Sequence, residues 1–105
     1  PMTTLACVYA LFADAGEAER IGQAMVEEGL AGCVNILAPC RSIYRWQGAI
    51  EQATEVPALF KTVPAKAEAL AARIRMLHSY DVPAVSHWPA ETGEDYAAWL
   101  VSATH

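Results

Sequence analysis

Cationic residues are scarce in this 105-residue chain: seven Lys and Arg stand against twelve Asp and Glu, a net charge of -5. A surface of that sign repels phosphate backbones, and scattered cations such as Arg41 and Arg45 do not reverse it, so no nucleic-acid partner is expected. Cysteine is sparse too. Cys7, Cys33 and Cys40 are odd in number and lack CxxC spacing, which encodes neither a disulfide framework nor a zinc knuckle and fits a reducing, cytoplasmic setting. No apolar run approaches the roughly 18 residues of a membrane span. The start, Pro1-Met2-Thr3-Thr4, passes directly into strand-like sequence with no basic region ahead of an apolar one, so neither a signal peptide nor a membrane partner is expected. Also missing are a Gly-rich phosphate loop, HExxH, GxSxG and any paired-carboxylate motif. Acylphosphatase chemistry needs a phosphate-holding arginine after the first strand, where this chain has Ala13-Asp14-Ala15-Gly16. The expectation is a protein without catalytic turnover.

What the chain does have is apolar content: 54% hydrophobic against 18% charged. That balance excludes a disordered chain and leaves more apolar groups than so small a surface accommodates, so some are expected to be buried between subunits. The length suits one domain, residues 1–105. Residues 5–12, LACVYALF, read as a strand buried on both faces. Asp14 with Glu17 resembles a capping box, and the apolar positions Ala18, Ile21, Ala24 and Met25 continue as an amphipathic helix that Gly29 stops. Residues 31–37 and 42–46 read as one long strand bent at Pro39. A turn at Gln47-Gly48-Ala49 then returns the chain through Ile50–Thr62, giving a hairpin too long to stay within the domain. Thr62 and Pro64 mark a second helix ending near His78, Val82–Trp88 a short strand, and Thr92 with Asp95 the cap of a final helix. The order βαββαβ closes into an α+β, ferredoxin-like plait with a long β-hairpin and a C-terminal helix.

Soft ligands are present but dispersed. Cys7 and Cys33 lie in apolar strands, where cysteine commonly packs as a small hydrophobe, and Met25 and Met76 read as packing. His78, at a helix end, is open to capping or to metal ligation. A second group is aromatic and polar: Tyr44 and Trp46 on the hairpin, Lys61-Thr62 at a strand end, and His78-Ser79-Tyr80-Asp81-Val82-Pro83 after the second helix. Lys61 beside a helix start can hold an anion, or it can pair with an acid such as Glu55. Lys61, Thr62 and Tyr80 are the candidate ligand cleft. Tyr44 and Trp46 are the candidate subunit contacts, because aromatic residues on a protruding hairpin need another chain to cover them.

The segments Gly32-Cys33-Val34-Asn35-Ile36, Ser42-Ile43-Tyr44-Arg45-Trp46-Gln47-Gly48, Phe60-Lys61-Thr62, His78-Ser79-Tyr80-Asp81-Val82-Pro83 and Tyr96-Ala97-Ala98-Trp99, in that order, resemble the CutA family of divalent-cation tolerance proteins over nearly the whole chain. The resemblance implies a homotrimer of ferredoxin-like subunits whose hairpins extend to neighbouring sheets. It also implies a link to copper tolerance and metal binding, with Cys33 among the suggested ligands; beside it, His78 is the second candidate ligand read from the residues, for copper or another divalent ion not tightly held. Two departures stand out: Cys40 replaces a frequent Gly, and Pro57 interrupts an apolar strand, which predicts an edge position or a bulge there. Topology and trimeric state also resemble PII-type signalling proteins, and that likeness gives the second reading, a sensor of a small anionic ligand held by Lys61 in clefts between subunits.

Overall fold

The computed structural model describes residues 1–105. Strand β1 (Met2–Phe12) leads into α1 (Ala15–Glu27), and β2 (Cys33–Ile36) and β3 (Cys40–Trp46) precede the long β4 (Ala49–Thr62). A single 3-10 turn (Pro64–Lys66) opens α2 (Ala67–Leu77), and β5 (Val85–Gly93) runs straight into α3 (Glu94–Ala103). The strands form one antiparallel sheet in the order β2-β4-β1-β5, with β3 also paired to β4. This is the expected ferredoxin-like α+β plait with its hairpin and C-terminal helix.

Alternation along β1 decides which helix covers which face. Val8, Ala10 and Phe12 join Phe60 of β4 and the apolar stripes of α1 (Ala18, Ile21, Met25) and α2 (Leu70, Ala71, Ile74) in the main core. Leu5 and Cys7 point the other way and meet Leu100 of α3 in a small second cluster. The approach is tight, since a Cβ on Gly32 would stand 2.5 Å from Leu100 Cδ2. Asp14 caps α1 by accepting from the Glu17 N–H at 2.8 Å, while the Glu17 carboxylate turns back to accept from the Ala13 N–H at 3.0 Å.

The bent strand behaves as anticipated. β2 and β3 follow the same arm of β4, but the register changes across Leu37–Pro39. Ile36 faces Ala58 and Cys40 faces Glu55, so three residues on one side oppose two on the other. Pro57 sits opposite this bulge. It lies in a central strand, not at an edge, yet its carbonyl accepts from the Leu37 N–H at 2.9 Å, so its missing N–H points to the bulge and not to β1. Gln47 and Gly48, at φ of 50° and 82°, close the two-residue turn between Trp46 and Ala49. Beyond the bulge the hairpin leaves the body, and the molecule measures 47 × 26 × 22 Å.

Boundaries differ from expectation at the last strand and at the second helix. The last strand begins at Val85, not Val82, and runs to Gly93, so Thr92 pairs with Thr3 inside the sheet and Gly93 precedes the final helix in place of a Thr cap. Thr62 ends β4 and its hydroxyl donates to the Leu30 carbonyl at 2.7 Å, leaving the second helix to start on Val63 and Pro64 without a side-chain cap.

Candidate functional site

Register sets Cys33, Lys61 and Cys7 side by side across β2, β4 and β1. Paired residues project from the same face, so this row meets Tyr96 of α3. Tyr96 Oη lies 3.1 Å from Cys33 Sγ, and Lys61 Nζ stands 5.8 Å from the Tyr96 ring centre. Burial, then the Cys33 contact, pushes the Tyr96 hydroxyl up to about 12. Burial also pushes the Cys7 thiol up, partly offset by Lys61. Cys33 keeps partial exposure while Cys7 is buried. Strand spacing holds the two Cys backbones about 9.6 Å apart with Lys61 between them. Thr62 is fully buried in its bond to Leu30 and takes no part in a cleft. The pairing of Lys61 with Glu55 does not form, because the two lie six residues apart along β4, about 20 Å, and Glu55 instead accepts from Tyr80.

His78 lies at the other end of the sheet. Its side chain is wholly buried, stacked on Phe12 at 5.0 Å between ring centres. Nε2 lies 2.7 Å from the Leu11 carbonyl, and Nδ1 accepts from the Tyr80 N–H at 3.1 Å. This pattern requires a neutral ring carrying its proton on Nε2, so the Glu17 oxygen 4.0 Å from Nδ1 is a neighbour and not an ion-pair partner. Glu17 instead accepts from the Ser79 N–H at 2.9 Å. Burial alone would raise the Glu17 pKa, but the hydrogen bonds from Ser79 and Ala13 bring it below the usual carboxylate range.

The expected companionship of Cys33 and His78 is therefore absent within one subunit. His78 reaches Leu11, four residues along β1 from the Cys7 row and so about 13 Å away, and both of its nitrogens are occupied. No three His, Cys, Asp or Glu side chains converge on a common point suited to a metal ion. One subunit supplies two partly exposed thiols, Cys33 opposite Lys61 and Cys40 opposite Glu55, at separate places along β4, and a complete coordination shell forms around neither. Lys61 and Tyr80 are likewise separated. Tyr80 donates to Glu55 at 3.0 Å, and its own hydroxyl is pushed up to about 12 by burial and then by that carboxylate. With Tyr44, Trp46, Glu51 and Asp81 it borders a groove of about 660 Å³ that runs along the hairpin beside the loop after α2. Sequence reasoning named Tyr44, Trp46 and Tyr80 but missed the groove, and it missed Ile43 and Ile50, which are 69% and 67% exposed on the hairpin. The signal for these was the pairing of Tyr44 with Glu51, which puts Ile43 and Ile50 on the opposite hairpin face.

The model of the family described as CutA1 divalent ion tolerance protein matches residues 6–103. The divalent-cation tolerance protein CutA of Pyrococcus horikoshii is 40% identical over 98 residues, covering 92% of this chain and 95% of that protein. The protein of the same name from Thermus thermophilus is 43% identical over 84 residues, 79% of this chain and 82% of its own length. The crystal structure of CutA1 from Pyrococcus horikoshii superposes with a TM-score of 0.90 at 37% identity, covering 95% of this chain and 98% of that one.

Proposed function

Since the chain belongs to the CutA1 divalent ion tolerance family, we propose that it acts in metal-ion tolerance as a cytoplasmic homotrimer that binds copper or another divalent ion loosely, without catalytic turnover. Assembly rests on the apolar surface a lone subunit leaves in water. Ile43 and Ile50 occupy one face of the protruding hairpin, Tyr44 and Trp46 the other, and Trp88 stands 6.4 Å from Tyr9 on the sheet face that α3 leaves open. A neighbouring subunit that covers the hairpin removes this surface from water. For the metal, Cys33 supplies a partly exposed sulfur suited to a soft ion, and the remaining ligands come from solvent or another subunit, which makes the binding weak.

The test is the metal content of the purified assembly, followed by copper titration under reducing conditions alongside a panel of nucleotides and anionic metabolites. Saturable copper binding with no response to the panel supports this reading, and the reverse pattern contradicts it. One observation favours a second reading, a PII-like sensor of a small anionic ligand at subunit clefts: Lys61 has no carboxylate partner and lies over Tyr96. In that case Lys61→Ala weakens the anion far more than Arg41→Ala, whose guanidinium is already bonded to Gln52 at 2.6 Å.

A further inference from the structure

Cys33 and Lys61 stand directly opposite one another on β2 and β4, and Lys61 stands opposite Cys7 on β1, so a lysine lies between two thiols on one face of the sheet. Neither of the chain's two close charge pairs involves Lys61. Its amine is held over the Tyr96 ring, 5.8 Å from the centre, while the hydroxyl of the same tyrosine lies 3.1 Å from Cys33 Sγ, so α3 gathers sulfur and amine at one place. Opposed residues of an antiparallel pair have Cβ atoms about 4.5–5.5 Å apart, and the four further bonds of a lysine side chain bring Nζ to the neighbouring Sγ without movement of the backbone. Cys33 and Lys61 are both partly exposed. Both lie on the body side of the bulge, apart from the hairpin faces and the Tyr9–Trp88 patch that the proposed assembly covers.

That placement decides what becomes of an oxidised Cys33. A disulfide needs Cα atoms within about 7 Å, and Cys7 is two strands away at about 9.6 Å. Cys40 faces Glu55, six residues along β4 from Lys61 and about 20 Å from the row. No thiol of the same chain can therefore resolve a sulfenic acid at Cys33, and the nearest nucleophile is the Lys61 amine. Cys7 is buried, so a soluble oxidant meets Cys33 first.

We propose that Cys33 and Lys61 form a reversible oxidative cross-link, a sulfenamide bond between Sγ and Nζ, when the protein meets hydrogen peroxide. The Cys33 thiolate attacks the peroxide, forming an S–O bond as the O–O bond breaks and water leaves. The neutral Lys61 amine then attacks sulfur, forming S–N as S–O breaks and a second water leaves. Sulfur loses two electrons and the peroxide gains them, so thiol, amine and peroxide give sulfenamide and two waters. Two equivalents of a thiol reductant cleave the S–N bond and restore both side chains. The bridge removes the Cys33 sulfur from a soft metal and the Lys61 charge from an anion together, but its formation rests on neither of those roles.

The experiment is peptide mapping by mass spectrometry of the full chain in its native assembly, with a metal chelator present, after hydrogen peroxide at about pH 8.5, where more of an amine is neutral. The expected product is lighter by two hydrogens, about 2 Da, with Cys33 and Lys61 joined, tryptic cleavage after Lys61 lost, and the parent mass restored by dithiothreitol. Cys7→Ser and Cys40→Ser should leave its yield unchanged, and Cys33→Ser should abolish it. Lys61→Arg, which keeps a cation over Tyr96, should also abolish it while leaving a Cys33 sulfenic acid that dimedone captures, and this separates a lost bridge from a lost fold. In the parent chain, a sulfenic or sulfinic acid about 16 or 32 Da heavier with no joined peptide would overturn the proposal. So would a disulfide between subunits, a bridge about 14 Da heavier that retains an oxygen, or a bridge that persists in Cys33→Ser.

Discussion

The three thiols divide by environment. Cys7 is buried with its pKa raised, so its reactive thiolate is suppressed, whereas Cys33 and Cys40 keep partial exposure. Copper(I) affinity in reducing buffer should therefore fall most in Cys33→Ser, little in Cys40→Ser and least in Cys7→Ser, and an unchanged affinity in Cys33→Ser would remove its assigned role. His78 has a structural duty that its position at a helix end concealed. Sequence shows that His78 follows an amphipathic stripe, but not that Leu11 and Tyr80 take both its nitrogens, because those contacts come from strands and loops far away in the chain. His78→Ala should cost about 2–4 kcal/mol in urea unfolding, from lost packing and a carbonyl left without its donor. Glu17 adds a pH dependence. Its folded pKa is lowered, so its stabilisation is complete above the usual carboxylate range and is lost as pH falls through the folded value. Glu17→Gln should flatten the acid side of a urea-midpoint-against-pH curve below about pH 4.5, with little change in its slope above pH 6.

At the scale of elements, the tightest contact of α3 is Leu100 against Gly32, beside its packing on Leu5 and Cys7 and the Tyr96–Cys33 contact. Gly32→Ala forces a clash with that side chain and should destabilise by about 1–3 kcal/mol, accompanied by faster amide exchange in α3 than in α1. An unaltered exchange pattern would show that α3 is held elsewhere. Strong periodicity made α1 and α2 legible in the sequence and an unbroken apolar run made β1 legible, since each buries its apolar residues in the core, whereas the hairpin was legible from its alternation and its turn residues although its outer arms stay exposed. The end of β5 was not legible. Pro89 and Thr92 carry turn and cap signals, and only the pairing of Met2–Thr4 with Glu91–Gly93 extends the strand through them. Pro89 is tolerated because β5 forms the sheet edge. The bulge was foreshadowed by Pro39 and Pro57 separately. Their placement opposite one another required the register, which local propensity does not encode.

The whole molecule is elongated because its hairpin projects past the body with apolar side chains exposed, and the proposed assembly rests on this feature. Trp46→Ala should lower the thermal midpoint, remove an anchor costing on the order of 2–4 kcal/mol at each interface, and make the midpoint depend visibly on protein concentration, since folding and association are linked by mass action. A mutant that stays a fully stable trimer would shift the anchoring role to Ile43 and Ile50. Metal and ligand questions all depend on which surfaces remain open after assembly, so the state in solution is the claim to test first. The direct measurement is sedimentation equilibrium of the parent chain at micromolar concentration under reducing conditions. The expected result is a single species of three times the 11.3 kDa subunit mass, and a monomer at that concentration would contradict the account.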